Sequence, residues 1–183
     1  MNSVQACELP QASLLRRYKE GRAYVDCYVT EVSGDVAQAA FVEAFYTTPL
    51  FKLERWMLKW LVHRPSTDIE AAQLAHGRID TFAAWRVADR TADQLLLGDF
   101  SGRTKSWLMV APVTPVAPVS SAATGARTRL YFGSAVVARV DARSGSQSMG
   151  FAFHALLGFH KLYSSLLLQA ARTRVMAGQQ VYM

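Results

Sequence analysis

Residue 82 marks the change that most limits what this chain can fold into. Before it, apolar residues recur at helical spacing over long stretches; after it they alternate, and then a final long run returns to the helical period. FAAWRVADR, QLLLGDF, TKSWLMVAP and TRLYFGSAVVAR are each about strand length and are separated by turn signals, which predicts an antiparallel meander. MGFAFHALLGFHKLYSSLLLQAARTRVMAG closes the chain as one long helix. Its most apolar window approaches the length of a membrane span, but His154, His160 and Lys161 interrupt it. A helix packed broadly against a sheet is the better reading, with His154, Gly158, Lys161, Ser165 and Arg172 along its more polar side.

Upstream, YVDCYVTEV alternates Tyr24, Asp26, Tyr28, Thr30 and Val32 on one face with Val25, Cys27, Val29 and Glu31 on the other, as a strand does. Ser33 and Asp35 around Gly34 offer N-cap chemistry for a helix with Val36, Ala40, Phe41 and Phe45 inward. A second amphipathic helix follows Pro49, with Leu50, Leu53, Met57, Trp60 and Leu61 on its apolar side. Thr67 and Glu70 fit a capping box for a third, short helix that Gly77 stops. The class is therefore α+β: a strand, helices, four strands and a long C-terminal helix.

At 183 residues the chain has the length of one domain, with residues 1–22 as a lead-in and a proline-rich loop over 112–127. Cys7 and Cys27 are too few and too irregularly spaced for a disulfide scaffold or a zinc site; they are expected as reduced structural thiols of a cytoplasmic protein. The N-terminus lacks the basic-then-apolar order of a secretory signal. The net charge of +6 is uneven, near −2 for residues 1–99 and +8 for 100–183. That basic half suits an anionic group or surface, but its scattered arginines and lysines form no nucleic-acid motif, so no nucleic-acid partner is expected.

The stretch GDFSGRTKSWLMVAP joins two apolar strands through a charged knot. A two-residue turn at Ser101-Gly102 would pair Asp99 with Thr104, Leu97 with Ser106 and Leu95 with Leu108. One face then carries Leu95, Leu97, Leu108 and Val110, ending in Asp99, Thr104 and Ser106; the other carries Leu96, Phe100, Trp107 and Met109 with Arg103 and Lys105. The polar end reads either as a solvated turn with a weak surface ion pair or as the rim of an apolar cavity, where a few polar groups orient a ligand.

The succession FAAWRVADRTADQLLL, SWLMV, TRLYFGSAVV and LLGFHKLYSSLLLQAA, with Trp85 and Val87, Trp107 and Leu108, Thr128 and Leu130, and aromatics around Phe159-His160, resembles bacterial domains of unknown function placed near the START-like, or SRPBCC, helix-grip superfamily. The likeness covers residues 82–171 in pattern and 24–62 in element order. It implies a curved antiparallel sheet around the long C-terminal helix, and between them a cavity for an apolar or amphipathic small molecule. Relatives include carriers, cyclases and hydrolases with no shared catalytic set, so the resemblance implies no catalytic residue, metal or cofactor.

The residues themselves give the same short inventory. There is no Gly-rich phosphate loop, no Gly-x-Ser-x-Gly elbow and no metal-ligand cluster. His154 and His160 are six apart and cannot form an i, i+4 metal pair. His160 reads as a boundary histidine, or alternatively as a general acid or base. Trp85, Trp107, Tyr131 and Phe153 read first as core. A binding site on this pattern would draw on Trp85, Asp99, Thr104, Ser106, Tyr131, Phe153 and His160. An enzyme of the same fold, or an interaction module using Phe51, Trp56, Trp60 and the proline-rich loop with another protein or a second copy, are the alternatives.

Overall fold

In the computed structural model, residues 3–21, 23–53, 66–113, 125–137, 139–140, 147–148 and 151–180 are described, with side chains along the last helix from 160 to 179. The strands are β1 (Gln5–Ala6), β2 (Tyr24–Ser33), β3 (Thr81–Phe82), β4 (Trp85–Arg90), β5 (Gln94–Asp99), β6 (Thr104–Pro112), β7 (Arg127–Val136), β8 (Arg139–Val140) and β9 (Gln147–Ser148). The first seven make one antiparallel sheet in the order β1-β2-β7-β6-β5-β4-β3, and β8 pairs with β9 apart from it. The alternating region after residue 82 therefore forms a meander, and β2 adds to its far side along the whole of β7.

The β5–β6 register matches the alternation: Leu95 faces Leu108, Leu97 faces Ser106 and Gly98 faces Lys105. The turn itself is wider than two residues. The Gly102 amide donates to the Asp99 carbonyl, and Gly102 takes φ 72°, a left-handed geometry that glycine adopts without steric cost. Pro112, expected in the loop, is instead the last residue of β6 and lies opposite Thr128. A strand end tolerates proline because the next amide, that of Val113, carries the ladder on to the Arg127 carbonyl.

The helices are α1 (Arg16–Glu20), α2 (Gln38–Tyr46), α3 (Asp68–Ala75) and α4 (Phe151–Gln180). Residues 49–53 are also helical; the rest of that expected helix, including Trp56 and Trp60, lies outside the described residues. The cap of α2 departs from expectation. Ala37 occupies its N-cap without a side-chain hydrogen bond, and Ala40 is exposed. The chain leaving β2 is held by the neighbouring strand: the Thr128 hydroxyl donates to the Gly34 carbonyl and accepts from the Val36 amide. For α3 the capping box of Thr67 and Glu70 is present in full, and Gly77, at φ 71°, ends the helix.

The two faces of the sheet are covered differently. Helices α2, α3 and α4 cover one, burying Phe41, Phe45, Leu95, Leu97, Leu108 and Leu130. The α4 stripe that enters this layer is Leu167, Leu168, Ala171 and Val175, the spacing of one helical face, and Arg172 Nε donates to the Glu31 carbonyl across it. The opposite face is covered by residues 7–21, which follow β1. That lead-in is thus a structural layer, placing Leu9 and Leu15 over Leu96, Trp107 and Met109. Gln94 ties it down: its side-chain oxygen accepts from Trp107 Nε1 and the Leu14 amide, and its amide nitrogen donates to the Ala12 carbonyl.

Candidate functional site

Period two places Asp26 on β2, Ser134 on β7 and Ser106 on β6 in one cross-strand row on the helix-covered face. Leu97 and Val87 continue that row outward. The next row toward the Asp99 turn holds Tyr24, Thr104 and Trp85. Here α4 brings His160 down onto the sheet, and among the described residues the layer is no longer filled. A cavity of about 460 Å³ opens between α4, residues 50–53 and these rows. Leu50, Phe51, Phe132 and Leu167 form much of its wall, with Leu162 and Leu166 of α4 at its exposed margin.

The polar groups meet at one wall. Ser134 Oγ donates to Asp26 Oδ1 at 2.7 Å and lies 2.8 Å from His160 Nε2. The Ser134 amide donates to the same carboxylate oxygen at 3.1 Å, and Asp26 Oδ2 is 3.3 Å from His160 Nε2. Asp26 is 9% exposed and His160 30%; His160 and Ser134 line the cavity, and the carboxylate lies behind them. Burial, and then the negative charge of Asp26, raise Tyr24 and Tyr28 to about 12, which keeps both phenols protonated. Tyr46 Oη lies 3.3 Å from Ser106 Oγ on the neighbouring strand.

This cluster holds a serine, a histidine and an aspartate, yet it does not have the geometry of a nucleophilic triad. A triad uses one ring nitrogen for the serine and the other for the carboxylate. Here the same nitrogen, Nε2, faces both Ser134 and Asp26. With Ser134 donating to Asp26, its oxygen is left to accept from Nε2–H, so the arrangement orients the ring and gives the wall a fixed set of donors and acceptors.

Among the described residues, two that line the cavity carry a buried side-chain atom without a hydrogen-bond partner: Ser164 Oγ and Trp85 Nε1. Ser164 is 1% exposed, on the turn of α4 after His160. Trp85 follows a tight turn in which Ala83 takes φ 51°. A larger void of about 710 Å³ lies between α2 and the end of α4, lined mainly by small apolar residues with Glu43 and Arg174. It is a surface groove and contains none of these unpartnered atoms.

Of the residues the sequence singled out, Trp85, Thr104, Ser106 and His160 come together around the smaller cavity. Asp99 does not line it. Its carboxylate is taken up by its own turn, accepting from the Thr104 amide and the Ser101 hydroxyl, so the charged knot is a turn device. Tyr131 lies on the opposite face, its ring beside Trp107; adjacent to Phe132 in the strand, it must point the other way. Lys105 also turns to that opposite face, over the Tyr18 ring. The side chains of Phe153 and His154 lie outside the described residues.

The sequence reading missed Asp26, Ser134 and Ser164. The signal for Asp26 was a carboxylate on the strand face that also carries Tyr28, where alternation calls for an apolar residue. No family model, no curated protein and no solved structure matches the chain. Among the described residues no helix is long and apolar enough to cross a membrane, and no three His, Cys, Asp or Glu side chains converge as metal ligands.

Proposed function

We propose that this chain binds an amphipathic small molecule in the cavity between the sheet and α4. The apolar body of such a ligand packs on Leu50, Phe51, Phe132 and Leu167. Its polar end meets the wall of Ser134, His160, Ser164 and Trp85. The volume falls within the range of small-molecule sites, and an apolar lining with a few fixed polar groups is their usual composition.

The observation that carries the reading is the pair of unpartnered atoms. Leaving a buried hydroxyl or indole N–H without a partner costs about 1–3 kcal/mol each, and the residues that carry Ser164 Oγ and Trp85 Nε1 line the same cavity. A ligand with a carbonyl, carboxylate or ether oxygen offsets that cost on entry. Trp85 can only donate, so the polar end must include an acceptor.

The order of elements, with an antiparallel sheet covered by a long C-terminal helix, supports a helix-grip, START-like assignment. An acyl-transfer enzyme is less well supported, because the serine and the carboxylate share one histidine nitrogen.

The test is a fluorescence titration with 1-anilinonaphthalene-8-sulfonate, an apolar probe carrying one acidic oxygen group. Saturable binding at one equivalent is expected. In Leu166→Trp, which fills the exposed margin of the cavity, affinity should fall about tenfold with an unchanged melting temperature. No binding by the native chain, or equal binding by both forms, overturns the proposal.

A further inference from the structure

Cys7 and Cys27 are 20 residues apart in sequence, yet their sulfurs are 3.3 Å apart. The β1–β2 register, Gln5 to Val29 and Ala6 to Tyr28, extends by one pair to set Cys7 opposite Cys27, and the Cys7 amide donates to the Cys27 carbonyl at 2.9 Å. Facing residues of that kind have Cα atoms about 5.5 Å apart, inside the window a disulfide spans without backbone movement.

The two sulfurs differ in access. Cys27 is buried, 4% exposed, and Cys7 is partly exposed. Cys7 lines a polar cleft of about 500 Å³ that also holds Arg127, Arg129 and Tyr131. The hydrogen bond between the two sulfurs lowers the Cys7 thiol, and the same bond, followed by burial, pushes the Cys27 thiol up. The exposed sulfur is therefore the one that ionises and reacts, and the buried one waits beside it.

We propose that Cys7 and Cys27 form a peroxide-reactive site, in which Cys7 is the attacking thiol and Cys27 the resolving one. The Cys7 thiolate attacks one oxygen of a hydroperoxide; the O–O bond breaks, the sulfur becomes a sulfenic acid, and the other oxygen leaves as hydroxide, or alkoxide for an organic peroxide. Cys27 sulfur then attacks the Cys7 sulfur, the S–O bond breaks, and the hydroxide departs as water with the Cys27 proton. Two thiols are oxidised to one disulfide, and the peroxide is reduced by two electrons. The bond fastens β1 to β2 and so fixes the N-terminal layer over the outer face of the sheet.

The experiment uses the full chain, reduced and then exposed to a small excess of hydrogen peroxide, with intact mass, thiol alkylation and peptide mapping as readouts. The expected result is a monomer lighter by about 2 Da, both thiols lost together, and a linked Cys7–Cys27 peptide pair. Cys27→Ser or Cys27→Ala should stop at a sulfenic acid on Cys7, heavier by about 16 Da and captured by dimedone. Cys7→Ser should consume peroxide at least about tenfold more slowly than the native chain. Disulfide-linked dimers, over-oxidised Cys7 without the linked pair, or equal peroxide consumption by Cys7→Ser overturns the proposal. The native-chain mapping stands even if a Cys27 variant fails to fold.

Discussion

The two faces of one sheet carry polar groups in opposite ways. On the face toward residues 7–21, Trp107 and Gln94 are buried and satisfy each other, and Gln94 also ties down the backbone of Ala12 and Leu14. On the face toward α4, Ser164 and Trp85 remain unpartnered beside a cavity. A closed hydrogen-bond network specifies one packing, whereas polar atoms left open beside a void are suited to an incoming partner. The difference shows where this chain is stabilised and where it is available.

That contrast predicts a graded set of effects. Trp107→Ala should be the most damaging, destabilising by about 3–5 kcal/mol in urea unfolding, because it opens a cavity and removes a partner of Gln94. Gly133→Val on the same face should cost about 1–3 kcal/mol through overpacking. A Cβ there would already stand 2.9 Å from Leu15, 3.0 Å from Trp107 and 3.0 Å from the Asp26 carbonyl.

On the cavity face, Ser134→Ala should cost about 1–2 kcal/mol, since Asp26 loses the hydroxyl it accepts from, and should weaken binding of the anilinonaphthalene probe severalfold. Ser164→Ala should fall within about 0.5 kcal/mol of the native stability, or slightly above it, while also weakening probe binding. If Ser164→Ala unfolds the chain as Trp107→Ala does, the cavity face is a closed core and the contrast fails.

A further effect is confined to alkaline pH. Tyr24 and Tyr28 are raised to about 12 from an ordinary value near 10. Their phenols ionise more readily in the unfolded chain, so their contribution is complete below pH about 10 and is lost as pH rises toward 12. Chemical unfolding followed across that range should show a decline confined to alkaline pH, smaller in Tyr24→Phe.

Much of the sheet was legible from alternation alone. Period two assigns each residue of β2, β5 and β6 to a face, and the observed layers agree: Leu95, Leu97 and Leu108 on one side, Leu96, Trp107 and Met109 on the other. Local chemistry also predicted the α3 cap, since Thr67 and Glu70 complete it within one helical turn. Failures came where a partner lies far along the chain. Ser33 and Asp35 looked like caps for α2, but Thr128, 92 residues beyond Val36, holds that turn. Tyr131 was grouped with the cavity because its type suited a ligand, although its strand parity sets it on the outer face with Trp107.

Composition and periodicity by themselves determined the α+β class, the meander, the strand parity and the long closing helix, because these depend on residues a few positions apart. Tertiary structure decided the rest. It set His160 against Ser134 and Asp26, left Ser164 and Trp85 without partners beside a void, and brought Cys7 to Cys27. Those juxtapositions depend on the order in which strands pair and on how α4 lies across them, and no short-range pattern encodes a distance between residues separated by 26 or 108 positions.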